Sequence, residues 1–389
     1  METKPFILFL FFFVIFQLTT SNGLFVNPTL VKSDTQAVCL TGKPASYYFF
    51  QGFGNGINNW IVYLPGGAWC HTAEYCIKYA NNRKITQDPR PFDFGNILDS
   101  DKEKNPDFFD WNKVVITYCD GSSFTGDSQT IYNGTNLYFR GARIFNAVMQ
   151  ELIQKGMGMA QNALLFGSSA GGVAATLHCD GFHNLLPYAI RVKCLSDAGY
   201  FFPSKRFEDQ RNDFIPTFQG LITLHGSAKS LPKMCTSRLS SYMCFFAQNV
   251  QKDIQTPIFF LMSAFDSVQV SWTFKNNEAI KKCIMDQTGC SSCSSEMYKV
   301  LQDLRLEFLS LLPKHTNCSS KGVLITSPKT HEQERNSHWN SDMVVEGSNE
   351  TIVNLFRDWY FDKRGVYIID KYPYPCLNNY STVPNNSFT

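Results

Sequence analysis

The sequence predicts an α/β fold, in which a doubly wound and mostly parallel sheet is covered by helices on both faces. Three observations indicate this fold. Short apolar runs of strand length recur along the chain, segments of helical periodicity lie between them, and a glycine-rich turn follows one of the runs. Apolar runs without alternating polar residues are typical of parallel strands that are buried on both faces.

Six runs are short and rich in β-branched or aromatic residues, so we predict buried strands there. They are residues 60–64, 113–118, 163–166, 190–195, 257–263 and 322–326. Residues 138–155, between the second and third runs, have apolar side chains at helical spacing and predict a helix. Residues 303–312 and 350–360 predict further helices. We interpret residues 201–255 as an insertion between core strands that covers the site like a lid, and the tail after Tyr372 as irregular.

Residues 1–23 predict a secretory signal peptide. Met1-Glu2-Thr3-Lys4 precedes an apolar run at residues 5–18, and small or polar residues follow up to Gly23. The apolar run is shorter than the ~20 residues of a membrane-spanning helix, so we expect cleavage near Gly23 and no stable membrane insertion afterwards. Residues 24–389 are then a single secreted domain, whose length suits one large α/β unit.

The 13 cysteines and the N-glycosylation sequons agree with an oxidising, extracellular compartment. We expect most cysteines to pair, and the odd count leaves at least one without an intramolecular partner. Cys290 and Cys293 form a C-x-x-C. We interpret it as structural disulfide chemistry, because only Cys283 is close enough in sequence to add to a zinc site. The candidate glycosylation sites are Asn133, Asn317, Asn349, Asn379 and Asn385.

The charge balance excludes a strongly basic protein of the nucleic-acid-binding class. The formal net charge is +2, and 17% of the residues are charged. The sequence has neither a polybasic run nor an acidic tail. We therefore expect no nucleic-acid partner.

Residues 164–177 contain the motif around which the rest of the chain is organised. An apolar run meets Gly167-Ser168-Ser169-Ala170-Gly171, a G-x-S-x-G pattern, and small residues of helical propensity follow. A nucleophilic serine at a sharp strand-to-helix turn needs neighbours without bulk. The N-terminus of the following helix then directs N–H groups at a developing oxyanion. We interpret Ser169 as a nucleophile, and the alternative is an ordinary tight turn between a strand and a helix.

A serine nucleophile needs a base and an orienting acid, which in α/β-hydrolases follow the serine in the order acid, then histidine. His331 and His338 both come after the last predicted strand, and their spacing does not separate them. Asp197 and Asp266 each come just after a predicted strand, where catalytic side chains of open α/β sheets usually lie. Either aspartate also suits a simple capping role.

The loop after the first predicted strand is the candidate oxyanion hole. Residues 60–64 run into Pro65-Gly66-Gly67-Ala68-Trp69-Cys70. A glycine pair in this position lets backbone N–H groups approach a substrate oxygen, as in the HGGG-type loops of esterases. The alternative is a simple Gly-Gly turn, but the combination with Ser169 favours the functional interpretation.

Several motifs resemble those of plant pectin acetylesterases. They are Leu-Pro-Gly-Gly-Ala-Trp-Cys at 64–70, Tyr-Cys-Asp-Gly-Ser-Ser-Phe at 118–124, Asn-Leu-Tyr-Phe-Arg-Gly at 136–141, Gly-Ser-Ser-Ala-Gly-Gly at 167–172, Cys-Leu-Ser-Asp-Ala-Gly at 194–199 and Asp-Trp-Tyr-Phe-Asp at 358–362. The resemblance extends from about Ala37 to Cys376, and the animal Notum-type lipid deacylases share the pattern. It implies a secreted α/β-hydrolase carboxylesterase that works without a metal or organic cofactor.

The resemblance also implies roles for individual residues. The nucleophile falls on Ser169, the acid on Asp266 and the base on His331. The oxyanion donors fall on the backbone of Gly67, Ala68 and Ala170. Asp197, Trp69 and His338 become supporting residues near the site.

This chain departs from the family pattern beside the expected site. The usual Glu before the glycines is Pro65, and the third glycine is Ala68. Plant members usually have cysteines flanking the catalytic histidine, where this chain has Pro328 and Glu332. Lys371 stands where the C-terminal tail usually carries a cysteine, so we expect at least one common disulfide to be missing.

These observations together predict an enzyme that hydrolyses O-acetyl esters of cell-wall pectin. A second hypothesis is a Notum-type carboxylesterase that removes a longer acyl group, and pocket depth separates the two. A third is a carbohydrate-binding protein with weakened catalysis, for which the altered loop at Pro65 and Ala68 is the reason.

Overall fold

The structure, a computed structural model, describes residues 23–83, 85, 88–207, 213–286, 292–334, 339, 344–345, 348 and 350–371. Its strands are, in chain order, β1 (Phe25–Val26), β2 (Pro28–Leu30), β3 (Ser46–Phe50), β4 (Asn59–Leu64), β5 (Phe92–Asp93), β6 (Asn112–Ile116), β7 (Ser128–Tyr132), β8 (Thr135–Phe139), β9 (Asn162–Ser168), β10 (Arg191–Asp197), β11 (Ile258–Ser263), β12 (Lys321–Thr326), β13 (Val344–Val345), β14 (Glu350–Thr351) and β15 (Tyr367–Ile369). Its helices are α1 (Ala73–Asn82), α2 (Gly141–Gln154), α3 (Ala170–Asn184), α4 (Phe214–Thr223), α5 (Lys233–Thr236), α6 (Ala247–Val250), α7 (Ser267–Thr273), α8 (Glu278–Met285), α9 (Ser295–Leu311) and α10 (Ile352–Tyr360). Residues 1–22 of the predicted signal peptide and the tail from Tyr372 lie outside the described residues. Within the described ranges, we find no helix with the length and apolar character to span a bilayer.

A nine-stranded sheet forms the centre of the molecule, in the order β15-β12-β11-β10-β9-β4-β6-β3-β2. All neighbours from β15 to β6 are parallel, and β3 and β2 add an antiparallel edge. The six predicted strands correspond to β4, β6, β9, β10, β11 and β12. The predicted fold class is therefore confirmed. Because the strands are parallel, the loops after β4, β9, β10, β11 and β12 all leave the sheet at the same edge.

The two faces of the sheet belong to two separate hydrophobic clusters. Leu165 of β9 lies in one cluster together with Val148 of α2 and Val173 of α3. Its neighbour Phe166 lies in the other, together with Phe356 of α10. This alternation follows from the two-residue period of a strand, and it explains why the central strands read as continuous apolar runs.

The start of the helix predicted at 138–155 is wrong. The chain instead forms a hairpin of β7 and β8, and α2 begins only at Gly141. Asn133 and Gly134 make the turn with φ of 47° and 75°, the left-handed pair that a two-residue hairpin turn requires. Phe139 matches the helical period by coincidence, since its side chain packs in a small cluster with Leu137.

The other predicted segments lie close to observed helices. Residues 303–312 fall in the longer α9, and residues 350–360 begin as the short strand β14 before α10. The insertion at 201–255 separates β10 from β11 and contains α4, α5 and α6.

Five disulfides cross-link the described chain. They join Cys39 to Cys119, Cys70 to Cys76, Cys179 to Cys194, Cys235 to Cys244, and Cys283 to Cys293. Of the predicted C-x-x-C, Cys293 therefore forms a structural disulfide with Cys283, and Cys290 lies outside the described residues. Cys318 has no disulfide partner within the described part of the chain.

Candidate active site

Ser169 occupies a strained turn between β9 and α3. Its φ and ψ are 56° and −122°, a conformation that L-residues rarely adopt. The turn is possible because Gly171 has no side chain, since a Cβ there would lie 1.8 Å from the carbonyl oxygen of Leu64. The Ser169 side chain thereby leaves the sheet edge and stands at the N-terminus of α3.

Three side chains from different loops form a continuous hydrogen-bonded row. Ser169 Oγ lies 2.8 Å from His331 Nε2, and His331 Nδ1 lies 2.6 Å from Asp266 Oδ2. Asp266 follows β11 and caps α7 through its other oxygen, which accepts the N–H groups of Val268 and Gln269 at 2.9 Å. The cap holds the carboxylate still, so the imidazole is oriented by a rigid partner.

The electrostatics of His331 favour the protonated imidazole. Burial alone would lower the pKa of His331, but the adjacent Asp266, assisted by Glu332 and Asp197, raises it from 6.5 to about 9. A negative partner stabilises an imidazolium, which is the form that appears when a histidine accepts a proton from a neighbouring hydroxyl.

Asp197 is the other candidate acid from the sequence, and its carboxylate binds main-chain N–H groups of the loop that carries His331. Its two carboxylate oxygens accept the backbone N–H groups of Gln333 and Glu334 at 3.0 and 2.9 Å. Complete burial raises the pKa of Asp197 to about 7, against the opposing effect of these two N–H groups. Asp197 therefore anchors the loop that carries His331.

The loop after β4 passes directly beside Ser169. A Cβ on Gly66 would lie 2.7 Å from the Cβ of Ser169, so only glycine permits this approach. Among the described residues, no hydrogen bond uses the N–H of Gly67 or Ala68, and the N–H of Ala170 is at a helix N-terminus without an intrahelical acceptor. An oxyanion hole formed by these three donors stays a prediction.

Two tyrosines hold this loop from behind. The hydroxyl of Tyr79 donates to the carbonyl oxygen of Gly67, and the hydroxyl of Tyr118 donates to that of Ala68, both at 2.8 Å. Ala68 has a left-handed φ of 59°. These two hydrogen bonds fix the orientation of the peptide groups that carry the N–H of Ala68 and the N–H of Trp69.

Trp69 links the loop to the nucleophile turn. Its indole N–H donates to Ser123 Oγ at 2.7 Å, and Ser123 Oγ donates to the carbonyl oxygen of Ala170 at 2.7 Å. We did not identify Tyr79, Tyr118 or Ser123 as site residues from the sequence. The motif at 118–124 was the available signal, since it lies just after a strand that neighbours the glycine loop.

A cluster of buried and partly buried aromatic side chains lies next to His331. We call them the aromatic wall, and they are Trp69, Phe201, Phe214, Phe218 and Trp272. The ring of Trp69 lies edge-on to Phe201, Phe218 and Trp272 at centroid distances of 5.4, 5.1 and 5.4 Å. Phe201 also approaches the His331 ring at 6.1 Å. Phe214 and Phe218 come from the insertion at 201–255, so this segment closes one side of the site.

Other candidate residues lie elsewhere. His338 is outside the described residues, so the choice between it and His331 rests on His331's position alone. Within the described ranges, the group with metal-ligand spacing is Cys70, Cys76 and His225. Both of its sulfurs are in a disulfide and offer no thiolate.

The sequons are only partly described. Asn133 is exposed at the tip of the β7–β8 hairpin, and the backbone of Asn317 lies in a short 3-10 turn. Asn349, Asn379 and Asn385 lie outside the described residues. Glycosylation at these positions stays a prediction.

Comparison with known proteins finds a matching family and several relatives. The family described as pectinacetylesterase matches residues 19–381. Pectin acetylesterase 11 of Arabidopsis thaliana is 38% identical over 347 residues, covering 86% of each chain, and pectin acetylesterase 7 of the same plant is 38% identical over 359 residues, covering 88% of each. Palmitoleoyl-protein carboxylesterase NOTUM of Mus musculus is 30% identical over 256 residues, covering 61% of this chain and 50% of that protein.

Proposed function

Because this chain belongs to the pectinacetylesterase family, we propose that it is a secreted serine carboxylesterase that hydrolyses O-acetyl esters of cell-wall pectin. The observation that carries the proposal is the hydrogen-bonded row from Ser169 through His331 to Asp266, beside the N–H groups of the glycine loop. A row of this kind is the arrangement used for acyl transfer by serine hydrolases on unrelated folds.

The row supports the following sequence of steps. Ser169 Oγ attacks the acetyl carbonyl while His331 Nε2 takes its proton, and Asp266 keeps the imidazole in the correct tautomer. The N–H groups of Gly67, Ala68 and Ala170 stabilise the oxyanion. His331 then gives its proton to the departing sugar hydroxyl, which leaves an acetyl ester on Ser169. A water molecule activated by His331 releases acetate.

The aromatic wall supports a short acyl group. Trp69, Phe201 and Phe218 are each at most 1% exposed, so their rings occupy the volume beside the oxyanion loop and His331. A long acyl chain would need that volume. The relationship to palmitoleoyl-protein carboxylesterases therefore extends to the hydrolytic chemistry, while the wall favours acetyl over a long chain as the group removed.

The test compares p-nitrophenyl acetate, p-nitrophenyl octanoate and acetylated pectin as substrates of the purified protein. We expect hydrolysis of the acetate ester, weak hydrolysis of the octanoate ester, and release of acetate from pectin. Efficient cleavage of octanoate would support the long-acyl alternative. No cleavage of any ester would favour the carbohydrate-binding alternative.

Variants test the roles of the three side chains. Ser169→Ala and His331→Ala should each lower kcat by about three or more orders of magnitude. Ser168→Ala and His338→Ala are the matched controls and should stay active. An inactive His338→Ala beside an active His331→Ala would transfer the base to His338.

A further inference from the structure

A cavity of about 360 Å³ lies at the same edge of the sheet as Ser169, on the far side of the oxyanion loop. Its floor includes Thr117 and Tyr118, which directly follow β6, and Ser46 at the start of β3. In the sheet order, β6 lies two strands from β9, which places the end of β6 roughly 10 Å from the end of β9, the strand that precedes Ser169. A chain of a few linked sugars is long enough to reach from one to the other.

The cavity is rich in positive charge. Lys43, Arg83 and Arg90 line it, with Asp88 as the acidic residue among its lining residues. The whole chain has a formal net charge of only +2, so three cations around one cavity are a local concentration. The ion pair of Lys43 with Asp88 has side chains that are 40% and 93% exposed. Pairs this exposed contribute little to stability, so an incoming carboxylate can replace Asp88 at little cost.

The rest of the lining suits a sugar ring. Tyr48 and Tyr118 are among the lining residues, and the hydroxyl of each donates a hydrogen bond to a main-chain carbonyl. The hydroxyl of Tyr48 donates to the backbone carbonyl of Arg90 at 2.8 Å, and that of Tyr118 donates to the carbonyl of Ala68. Rigid aromatic faces beside exposed guanidinium groups bind ligands that combine an apolar ring face with an anionic group.

Side chains that line the cavity also contact the oxyanion loop or its supporting residues. Tyr118 forms part of its lining and also holds Ala68 from behind. The guanidinium of Arg83 lies 5.9 Å from the ring centroid of Tyr79, whose hydroxyl holds Gly67. A ligand in the cavity is therefore next to Tyr118, which holds Ala68, and next to Arg83, which lies over the ring of Tyr79.

We propose that this cavity is a subsite for a negatively charged uronate unit of the polysaccharide, near the acetylated unit that reacts at Ser169. The proposal rests on the function proposed above, since a uronate polymer supplies a carboxylate on neighbouring units. Lys43, Arg83 and Arg90 bind the carboxylate, and Tyr48 and Tyr118 pack against the ring.

The binding test uses trigalacturonate and the full chain, measured by calorimetry without any turnover. We expect the wild type to bind trigalacturonate, and the dissociation constant to rise about fivefold for Arg90→Gln and further for Lys43→Gln combined with Arg90→Gln. The affinity should also fall with added salt. Lys252→Gln is the matched control, because Lys252 is an exposed cation between α6 and β11, on the side where the strands begin. It should bind as the wild type does.

The kinetic test compares the ratio of kcat/KM on acetylated, unmethylated pectin to kcat/KM on p-nitrophenyl acetate. We expect this ratio to fall about fivefold in Arg90→Gln and to stay constant in Lys252→Gln. Methyl esterification of the pectin should produce the same fall in the wild type and remove the difference between wild type and Arg90→Gln.

Two outcomes overturn the subsite. One is wild-type protein that does not bind trigalacturonate, and the other is equal binding by wild type and the Lys43→Gln/Arg90→Gln double variant. Failure of the proposed function has a different signature. In that case the wild type binds trigalacturonate in the expected variant-dependent way but releases no acetate from pectin.

Discussion

The backbone N–H of Ser169 donates a hydrogen bond of 2.9 Å to the carbonyl oxygen of Asp197. The carboxylate of the same Asp197 accepts the N–H groups of Gln333 and Glu334. One residue at the end of β10 thus fixes the turn that presents Ser169 and the loop that presents His331. Asp266 differs from it, because Asp266 contacts the imidazole itself.

This difference separates the two aspartates in mutants. We expect Asp266→Asn to lower kcat by about three to four orders of magnitude with little change in KM, because an amide there favours the wrong imidazole tautomer. Asp197→Asn should lower kcat much less and should lower the free energy of unfolding by about 1–3 kcal/mol, because its amide N–H₂ would face one of the two backbone N–H donors that the carboxylate accepts. Single-turnover acylation and chemical denaturation measure the two effects. Equal acylation by Asp266→Asn and the wild type would remove Asp266 from the catalytic row.

The raised pKa of His331 predicts that activity increases as pH rises. Because its pKa is about 9 rather than 6.5, the His331–Asp266 interaction stabilises the fold fully below 6.5, and this stabilisation is lost as pH rises through 9. The neutral base needed for attack accumulates over the same range. We expect kcat/KM for p-nitrophenyl acetate to rise with pH, with a midpoint above 6.5.

Glu332 provides a test of this pH dependence that leaves the catalytic row intact. The Glu332 carboxylate contributes to the raised pKa of His331 through its charge. Glu332→Gln should therefore move the midpoint of the kcat/KM profile to lower pH. Glu296→Gln, an exposed glutamate in the first turn of α9, should leave it in place. A midpoint that Glu332→Gln does not lower would contradict this electrostatic account.

Acyl-chain preference should depend on the aromatic wall. We expect Phe201→Ala to raise the ratio of octanoate to acetate hydrolysis, because it removes an aromatic ring that lies 6.1 Å from the His331 ring. Phe308→Ala is the matched control, since Phe308 is equally buried but stacks on Phe202 within the α9 packing. Each variant should lose about 3–5 kcal/mol of stability. The ratio of the two hydrolysis rates, measured on the same sample, is independent of that loss of stability. An unchanged ratio in Phe201→Ala would contradict the proposal that the aromatic wall limits acyl-chain length.

Ala68 is the position where a glycine should be tolerated without loss of stability. Its φ of 59° is unfavourable for any residue with a Cβ, so Ala68→Gly relieves strain while it adds disorder to the unfolded chain. We expect an unchanged or slightly higher unfolding free energy and retained activity. Ala174→Gly in the interior of α3 should instead lose about 1 kcal/mol. Urea denaturation measures the unfolding free energy of both variants. A similar loss of unfolding free energy in the two would contradict the conclusion that Ala68 is strained.

The parallel core was predictable because burial on both faces leaves an unmistakable apolar pattern. Strand β11 contains no polar residue before its last one, and β9 contains none between Asn162 and Ser168. The β7–β8 hairpin was not predicted, although Asn133-Gly134 is a recognised signal for a tight hairpin turn. The prediction failed because Phe139 and the apolar residues of α2 together have the spacing of one continuous helix.

The candidate site was predictable in its residue types but not in its connections. Chain order and strand ends limited the acid to Asp197 or Asp266, and the family resemblance favoured Asp266. The three-dimensional structure adds the contact between the Asp266 carboxylate and His331. Asp266 and His331 are 65 residues apart in the chain, so their contact depends on the pairing of β11 with β12. The supporting tyrosines were not predicted because their hydroxyls bind main-chain carbonyls. A sequence motif of side chains does not reveal such contacts.

Two of the disulfides flank the oxyanion loop and its support. Cys70 directly follows Trp69 and joins Cys76, while Cys119 directly follows Tyr118 and joins Cys39. The loop that carries the proposed oxyanion donors is thus tethered through bonds that form only where thiols are oxidised. A newly made chain with reduced cysteines would carry every catalytic side chain yet lack a braced oxyanion hole. Its esterase activity would then be latent until oxidation completes its maturation.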